Sequence, residues 1–203
     1  SLVVQDLAQR LGFEGVSVAR HEAYETPLGR VPVDRDAADR LIASSPLIRF
    51  VPEAHAVEHS LEIQLPFLQV ALGTFRIVPV IMGRQDRDTC AVLAEGLAGV
   101  LGEGKGTLIV ASTDLSHYHD QATARALDRT FIRHVTAFDP EGLIEALAAG
   151  RCEACGGGPT AAVLMAARRL GAKRCVLLDR ADSGDVTGDR RQVVGYMAAA
   201  MVE

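Results

Sequence analysis

Tryptophan is absent from this 203-residue chain and aromatic residues make up only 4% of it. A core of ordinary size must therefore be built from aliphatic side chains. No apolar run is long enough to cross a bilayer, and the first residues, Ser1 to Asp6, lack a charged stretch followed by a long apolar segment. The cytoplasm is the compartment expected by default. Excess positive charge is missing too: the formal charge is −5, with no basic run interleaved with aromatics, which argues against nucleic acid as a partner. Cysteine is scarce. The four present, Cys90, Cys152, Cys155 and Cys175, are scattered and do not form the framework of a small disulfide scaffold, so they are read as thiols.

What is there is a balance of 48% hydrophobic and 23% charged residues, enough for one domain spanning residues 1–203. Short apolar runs alternate with longer segments of helical period, which predicts an α/β fold: a mostly parallel central sheet flanked by helices. Strands are expected at Val16–Ala19, Arg76–Met82, Gly106–Ser112, Arg174–Leu178 and Gln192–Met201. Helices are expected at Leu2–Leu11, Asp34–Ala43, Ser60–Leu72, Asp86–Leu101, Gln121–Ala137, Asp139–Ala149 and Thr160–Leu170, several opened by a capping residue such as Asp34, Ser60 or Asp139. Pro66 should bend the third of these.

Ligands of open α/β sheets collect outside the carboxyl ends of the strands, which directs attention to Ser112-Thr113-Asp114-Leu115-Ser116-His117-Tyr118-His119-Asp120. There a buried strand runs into a cluster of ionisable groups. Asp114, three residues before His117, can fix a tautomer, share a proton or ligate a metal; as a purely structural pair, Asp114 would cap a turn beside an exposed imidazole.

In a second segment, Glu58-His59-Ser60-Leu61-Glu62, charged groups lead into an apolar helix. On one early-starting helix His55, His59 and Glu62 would share a face, a geometry used by metal sites. Pro52 argues that His55 is still in a loop, and Ser60 and Glu62 also suit an N-cap and a first-turn charge. A third segment, Cys152-Glu153-Ala154-Cys155-Gly156-Gly157-Gly158-Pro159-Thr160, places a thiol just before a helix amino terminus, where the thiolate is favoured. One Cys-x-x-Cys pair is half of a structural zinc site, and no second pair completes it.

Two further stretches are set aside. Gly99 to Gly106 nearly spells a P-loop but precedes a strand and has no hydroxyl for magnesium, so a helix-to-strand turn is expected. Asp182 to Asp189 lacks calcium-loop spacing and is expected to be a solvated loop.

Five segments in this order, Tyr24-Glu25-Thr26-Pro27-Leu28-Gly29, Glu58 through Leu68, Ser112 through Tyr118, Cys155 through Pro159, and Ser183-Gly184-Asp185 with Val194-Gly195-Tyr196, resemble the Memo family, whose prokaryotic members are called AmmeMemoRadiSam system protein B. The resemblance implies a fold similar to class III extradiol ring-cleaving dioxygenases, with a pocket that can hold iron or copper. It places the family's cysteine ligand on Cys155, its acidic and imidazole pocket residues on Asp114 and His117, and a further pocket histidine on His59. The family's other ligands, two histidines in Pro-His-Ala-Gly and Gly-Pro-Ser-His motifs, belong upstream of Gly15 and have no counterpart here. The chain is accordingly expected to be a fragment, a divergent member, or one lacking the family's first strand–helix unit, and to hold its ion weakly.

Three functional readings follow. In the first, a non-haem metal protein acts on an unknown small molecule, with Cys155 binding metal, His117 serving as acid or base, and Asp114 and His59 assisting. In the second, the pocket is retained in a scaffold that binds other proteins without turnover. In the third, Cys155, His117 and Asp114 form a hydrolytic triad.

Overall fold

The structure is a computed structural model; it describes residues 2–7, 13–57, 60–101 and 106–203. The backbone divides into two compact units, residues 1–112 and 113–203.

The first unit contains β1 (Leu2–Leu7), β2 (Val16–Val18), β3 (Ala23–Thr26), β4 (Gly29–Pro32), α1 (Arg35–Ala43), β5 (Ile48–Arg49), α2 (Pro52–Val57), α3 (Ser60–Leu72), β6 (Ile77–Met82), α4 (Arg87–Leu101) and β7 (Leu108–Ala111). Five strands form one sheet in the order β5-β2-β6-β1-β7. Neighbours are parallel at β1–β6, β1–β7 and β2–β5 and antiparallel at β2–β6. Helices and strands do mix as expected of an α/β protein, and this sheet is itself mixed in direction.

β6 is buried along its whole length, yet it contains Pro79, which cannot donate to a ladder. The register shows why it is tolerated. A residue's N–H and C=O point to the same side of a strand, and the Pro79 carbonyl faces the β2 side, where it accepts the Ala19 N–H at 3.0 Å. The missing donor lies just beyond the end of β2, so pairing with β1 loses nothing.

The expected helix at Leu2–Leu11 is corrected: Leu2–Leu7 is a strand, paired on both sides, with Val3 opposite Val78 and Ile109. Its β-branched residues suit a doubly paired strand, and tertiary pairing overrides a helical period read from a short window. Residues 8–11 lie outside the described residues. His55, placed in a loop because of Pro52, is instead helical: Pro52 occupies the first position of α2, where proline's missing donor costs nothing. The α3 helix matches its expected bounds and carries Pro66 within it; its Leu61 and Leu65 pack with Val31, Val33 and Ile77 into a core cluster.

The second unit contains β8 (His117–His119), α5 (Gln121–Thr136), α6 (Pro140–Ala148), α7 (Gly157–Arg169), β9 (Arg174–Asp182), α8 (Ser183–Thr187) and β10 (Val193–Val202). Its strands run in the order β8-β10-β9, all antiparallel. The last two expected strands are therefore found, but as an antiparallel pair outside the five-stranded sheet, because the short connection through α8 permits a reversal and not a crossover. The stretch from Asp182 was expected to be a solvated loop; it is the helical turn α8, ended by Gly188 in the left-handed conformation. Asp120 caps α5 by accepting the Ala122 and Thr123 N–H groups, and Asp139 caps α6 through Gly142. The α7 helix begins three residues before the predicted Thr160 and is buried from Gly157 to Ala166. That burial fixes the turn carrying Cys155.

Candidate metal centre

The site lies within the second unit, where the chain running from Thr113 to His117 meets the turn that opens α7. Backbone hydrogen bonds hold the two segments together. Cys155 N–H donates to the Asp114 carbonyl (3.2 Å), Asp114 N–H donates to Cys155 Sγ (3.1 Å), and Gly156 N–H donates to Thr113 Oγ1 (2.8 Å). An N–H directed at sulfur favours the thiolate, as does the amino terminus of α7 two residues further on.

A second tie joins the same pieces. His119 Nε2 and Glu153 Oε2 are 2.9 Å apart, linking β8 to the loop between Cys152 and Cys155. Between these ties Tyr118 adopts a positive φ of 63°, which is uncommon for a residue with a Cβ; its ring is exposed, 5.6 Å from that of His117.

Donor atoms of Asp114, His117 and Cys155 lie within 4.8 Å of one another. Donors ~2.0–2.3 Å from one tetrahedral ion stand about 3.3–3.8 Å apart, so the three would close in by up to about 1 Å to share one. Nε2 of His117 is 3.4 Å from Oδ2 of Asp114, and both side chains keep solvent access, 32% and 48%. The set combines thiolate, carboxylate and imidazole, a mixture suited to a first-row transition ion with exchangeable positions.

Deeper supports come from residues that sequence reasoning missed. Buried Asp128 on α5 accepts the Ser116 N–H at 3.0 Å, fixing the backbone next to His117. Leu115 N–H donates to the Gly195 carbonyl and Gly195 N–H to the Ser116 carbonyl, securing the same turn to β10. A Cβ at Gly195 would overlap the Asp128 carboxylate. Thr113 and Glu153 lie inside segments that the sequence singles out, but with no role of their own there; Asp128, within the period of a helix, adjoins no motif that announces it. Tyr196 on β10 has its phenol pushed up by burial and by the charge of Asp114.

The other candidates fare differently. His59, with Glu58, lies outside the described residues. His55 and Glu62 are on separate helices, and His55 Nε2 is 2.9 Å from Ser17 Oγ, so the single-helix arrangement of His55, His59 and Glu62 is not formed. Cys90 and Cys152 are buried, which pushes their thiols up to about 12 and about 11. Of the near-P-loop, α4 runs to Leu101, residues 102–105 lie outside the described residues, and Gly106 has a positive φ of 85°.

An α/β protein with Asp114, His117 and Cys155 gathered in one cluster is the class that fold and site define. The chain belongs to the family of Memo-like proteins, which it matches over residues 9–200. It is 43% identical to a MEMO1 family protein of Methanothermobacter thermautotrophicus, covering 90% of this chain and 66% of the relative. It is 42% identical to one of Methanosarcina acetivorans, covering 93% and 70%, and 39% identical to one of Thermotoga maritima, covering 88% and 63%. The chain thus spans about two thirds of the length of these relatives. Among the described residues, no helix is long and apolar enough to cross a membrane.

Proposed function

We propose that this chain carries part of a non-haem metal centre, for iron or copper, in a protein that performs oxidoreductase chemistry resembling extradiol dioxygenases on a small molecule. The observation that supports this is the convergence of three chemically different donors within 4.8 Å. A bound redox-capable ion would supply electron transfer and activation of oxygen.

The chain's own groups divide the remaining work. Cys155 is the anchoring ligand, presented as thiolate by the Asp114 N–H and the start of α7. Asp114 has two carboxylate oxygens and can serve the ion and His117 at once. Where Cys155 and Asp114 hold the ion, His117 Nε2 is left to hold or release a proton beside the substrate.

The test is anaerobic loading of the purified chain with Fe(II) or Cu(II), followed by elemental analysis. Binding is expected in the wild type and lost in Cys155→Ala. Stoichiometric metal that survives Cys155→Ala sinks the ligand assignment.

A further inference from the structure

We propose that the second unit has another ligand site, a pocket for monohydrogen phosphate, walled by Arg129, Arg180 and Asp128. A cavity of about 290 Å³ opens between α5 and the end of β9, lined by these residues together with Arg125, Asp182, Asp185 and Tyr196. It shares no donor with the Asp114–His117–Cys155 cluster and does not depend on that cluster holding metal.

Three guanidiniums and three carboxylates line it, and they are unevenly paired. Arg125 is fully engaged: Nε contacts Asp182 Oδ2 at 2.7 Å and a terminal nitrogen contacts Asp185 Oδ1 at 2.7 Å. Gln121 donates to both oxygens of Asp182, at 2.9 and 3.2 Å. That network rigidifies one wall and sets two carboxylates against its one guanidinium, so the cations free to meet a ligand are the other two. Arg129 stands four residues further along α5, on the same helix face, and Arg180 projects from β9. Neither makes an ion pair with any described residue. Two uncommitted guanidiniums lining one concavity favour an oxyanion, which they can grip through forked N–H groups.

Asp128 restricts which oxyanion. Its side chain is buried, with 6% exposure, and Oδ1 accepts the Ser116 N–H at 3.0 Å. An ionised carboxylate is an acceptor with no proton to give. It opposes an anion that has lost all its protons and accepts from one that keeps an O–H. Monohydrogen phosphate offers both kinds of atom: deprotonated oxygens for Arg129 and Arg180, and a P–OH for Asp128. Sulfate lacks that proton. So does a phosphate monoester above its second ionisation.

Calorimetric titration of the full chain at about pH 8, above the second phosphate ionisation, distinguishes the ligands. Inorganic phosphate is expected to bind saturably and at least roughly tenfold more tightly than sulfate or glycerol 3-phosphate, the size of one charge-assisted hydrogen bond. The solvent-facing substitutions Arg129→Ala and Arg180→Ala should together abolish binding, while Cys155→Ala leaves it unchanged. Asp128→Asn keeps an acceptor for Ser116 and adds a donor, so it should bring sulfate level with phosphate. Phosphate binding no tighter than sulfate in the wild type overturns the proposal, as does binding that survives loss of both arginines. If Asp128→Asn fails to fold, the wild-type comparison and the arginine pair still decide the matter.

Discussion

Asp114 and Cys155 exchange hydrogen bonds across 41 positions of sequence: the Asp114 N–H donates to Sγ at 3.1 Å, and the Cys155 N–H donates to the Asp114 carbonyl at 3.2 Å. The thiol is thereby set by backbone and not by a mobile side chain. Thr113 completes the arrangement by accepting the Gly156 N–H. Thr113→Val removes that acceptor and leaves an N–H at the start of α7 without it. A loss of about 1–2 kcal/mol in stability is expected, with metal affinity falling roughly tenfold or more. Thr113→Ser, which keeps the hydroxyl, should restore both in denaturation and metal-binding assays; equal losses in the two variants would remove Thr113 from the site's support.

Gly195 leaves no room for a Cβ beneath Asp128. Gly195→Ala should cost about 1–3 kcal/mol through overpacking. It should also weaken metal binding, because the displaced carboxylate loosens its hold on Ser116. The cost of Gly195→Ala is expected to shrink when Asp128 is already Ala, which a double-mutant cycle of urea denaturation measures. Strict additivity would show that the two residues do not interact.

His55 introduces a pH dependence. Burial, assisted by the nearby His21, lowers its pKa from 6.5 to about 4. The folded state therefore keeps His55 neutral while the unfolded chain takes up a proton near its ordinary pKa. The stabilisation is complete above about pH 6.5 and is lost as pH falls towards about 4. At ~1.4 kcal/mol per unit the upper bound is about 3.5 kcal/mol. Unfolding free energies measured on both sides of this window should decline with acid in the wild type and decline less in His55→Gln. Identical slopes would assign the effect to other groups.

Alkylation separates the thiols. Burial raises Cys90 to about 12 and Cys152 to about 11, so both are almost wholly protonated at about pH 8 and hidden from reagent. Cys155 and Cys175 are both partly buried, but burial raises the Cys175 thiol; Cys155, beside the start of α7, should be modified first by iodoacetamide, as read by mass spectrometry of the native protein. Labelling of Cys152 as fast as Cys155 would contradict the packing around the loop.

Much of the fold was legible because period and caps are local. Asp34 and Asp139 mark helix starts, and Ile77–Met82 reads as a buried strand since every side chain in it is apolar or proline. Leu2–Leu7 misled because its strand character comes from two partners, β6 and β7, which lie 70 or more residues away in the chain and which no local window contains. The direction of the strands was hidden for the same reason: β2 pairs parallel with β5 and antiparallel with β6.

For the site, residue chemistry by itself determined that Asp114, His117 and Cys155 were the groups to watch. A carboxylate and an imidazole crowd the end of an apolar strand, and a thiol precedes a helix start; the order of motifs further determined the family. Only the tertiary structure decided that the three donors share one space, that Thr113 and Asp128 hold it in shape, and that His55 is drawn to Ser17. Those contacts join segments tens of residues apart, and their distances are set by how helices and sheet pack, a property of the whole unit that no stretch of sequence carries alone.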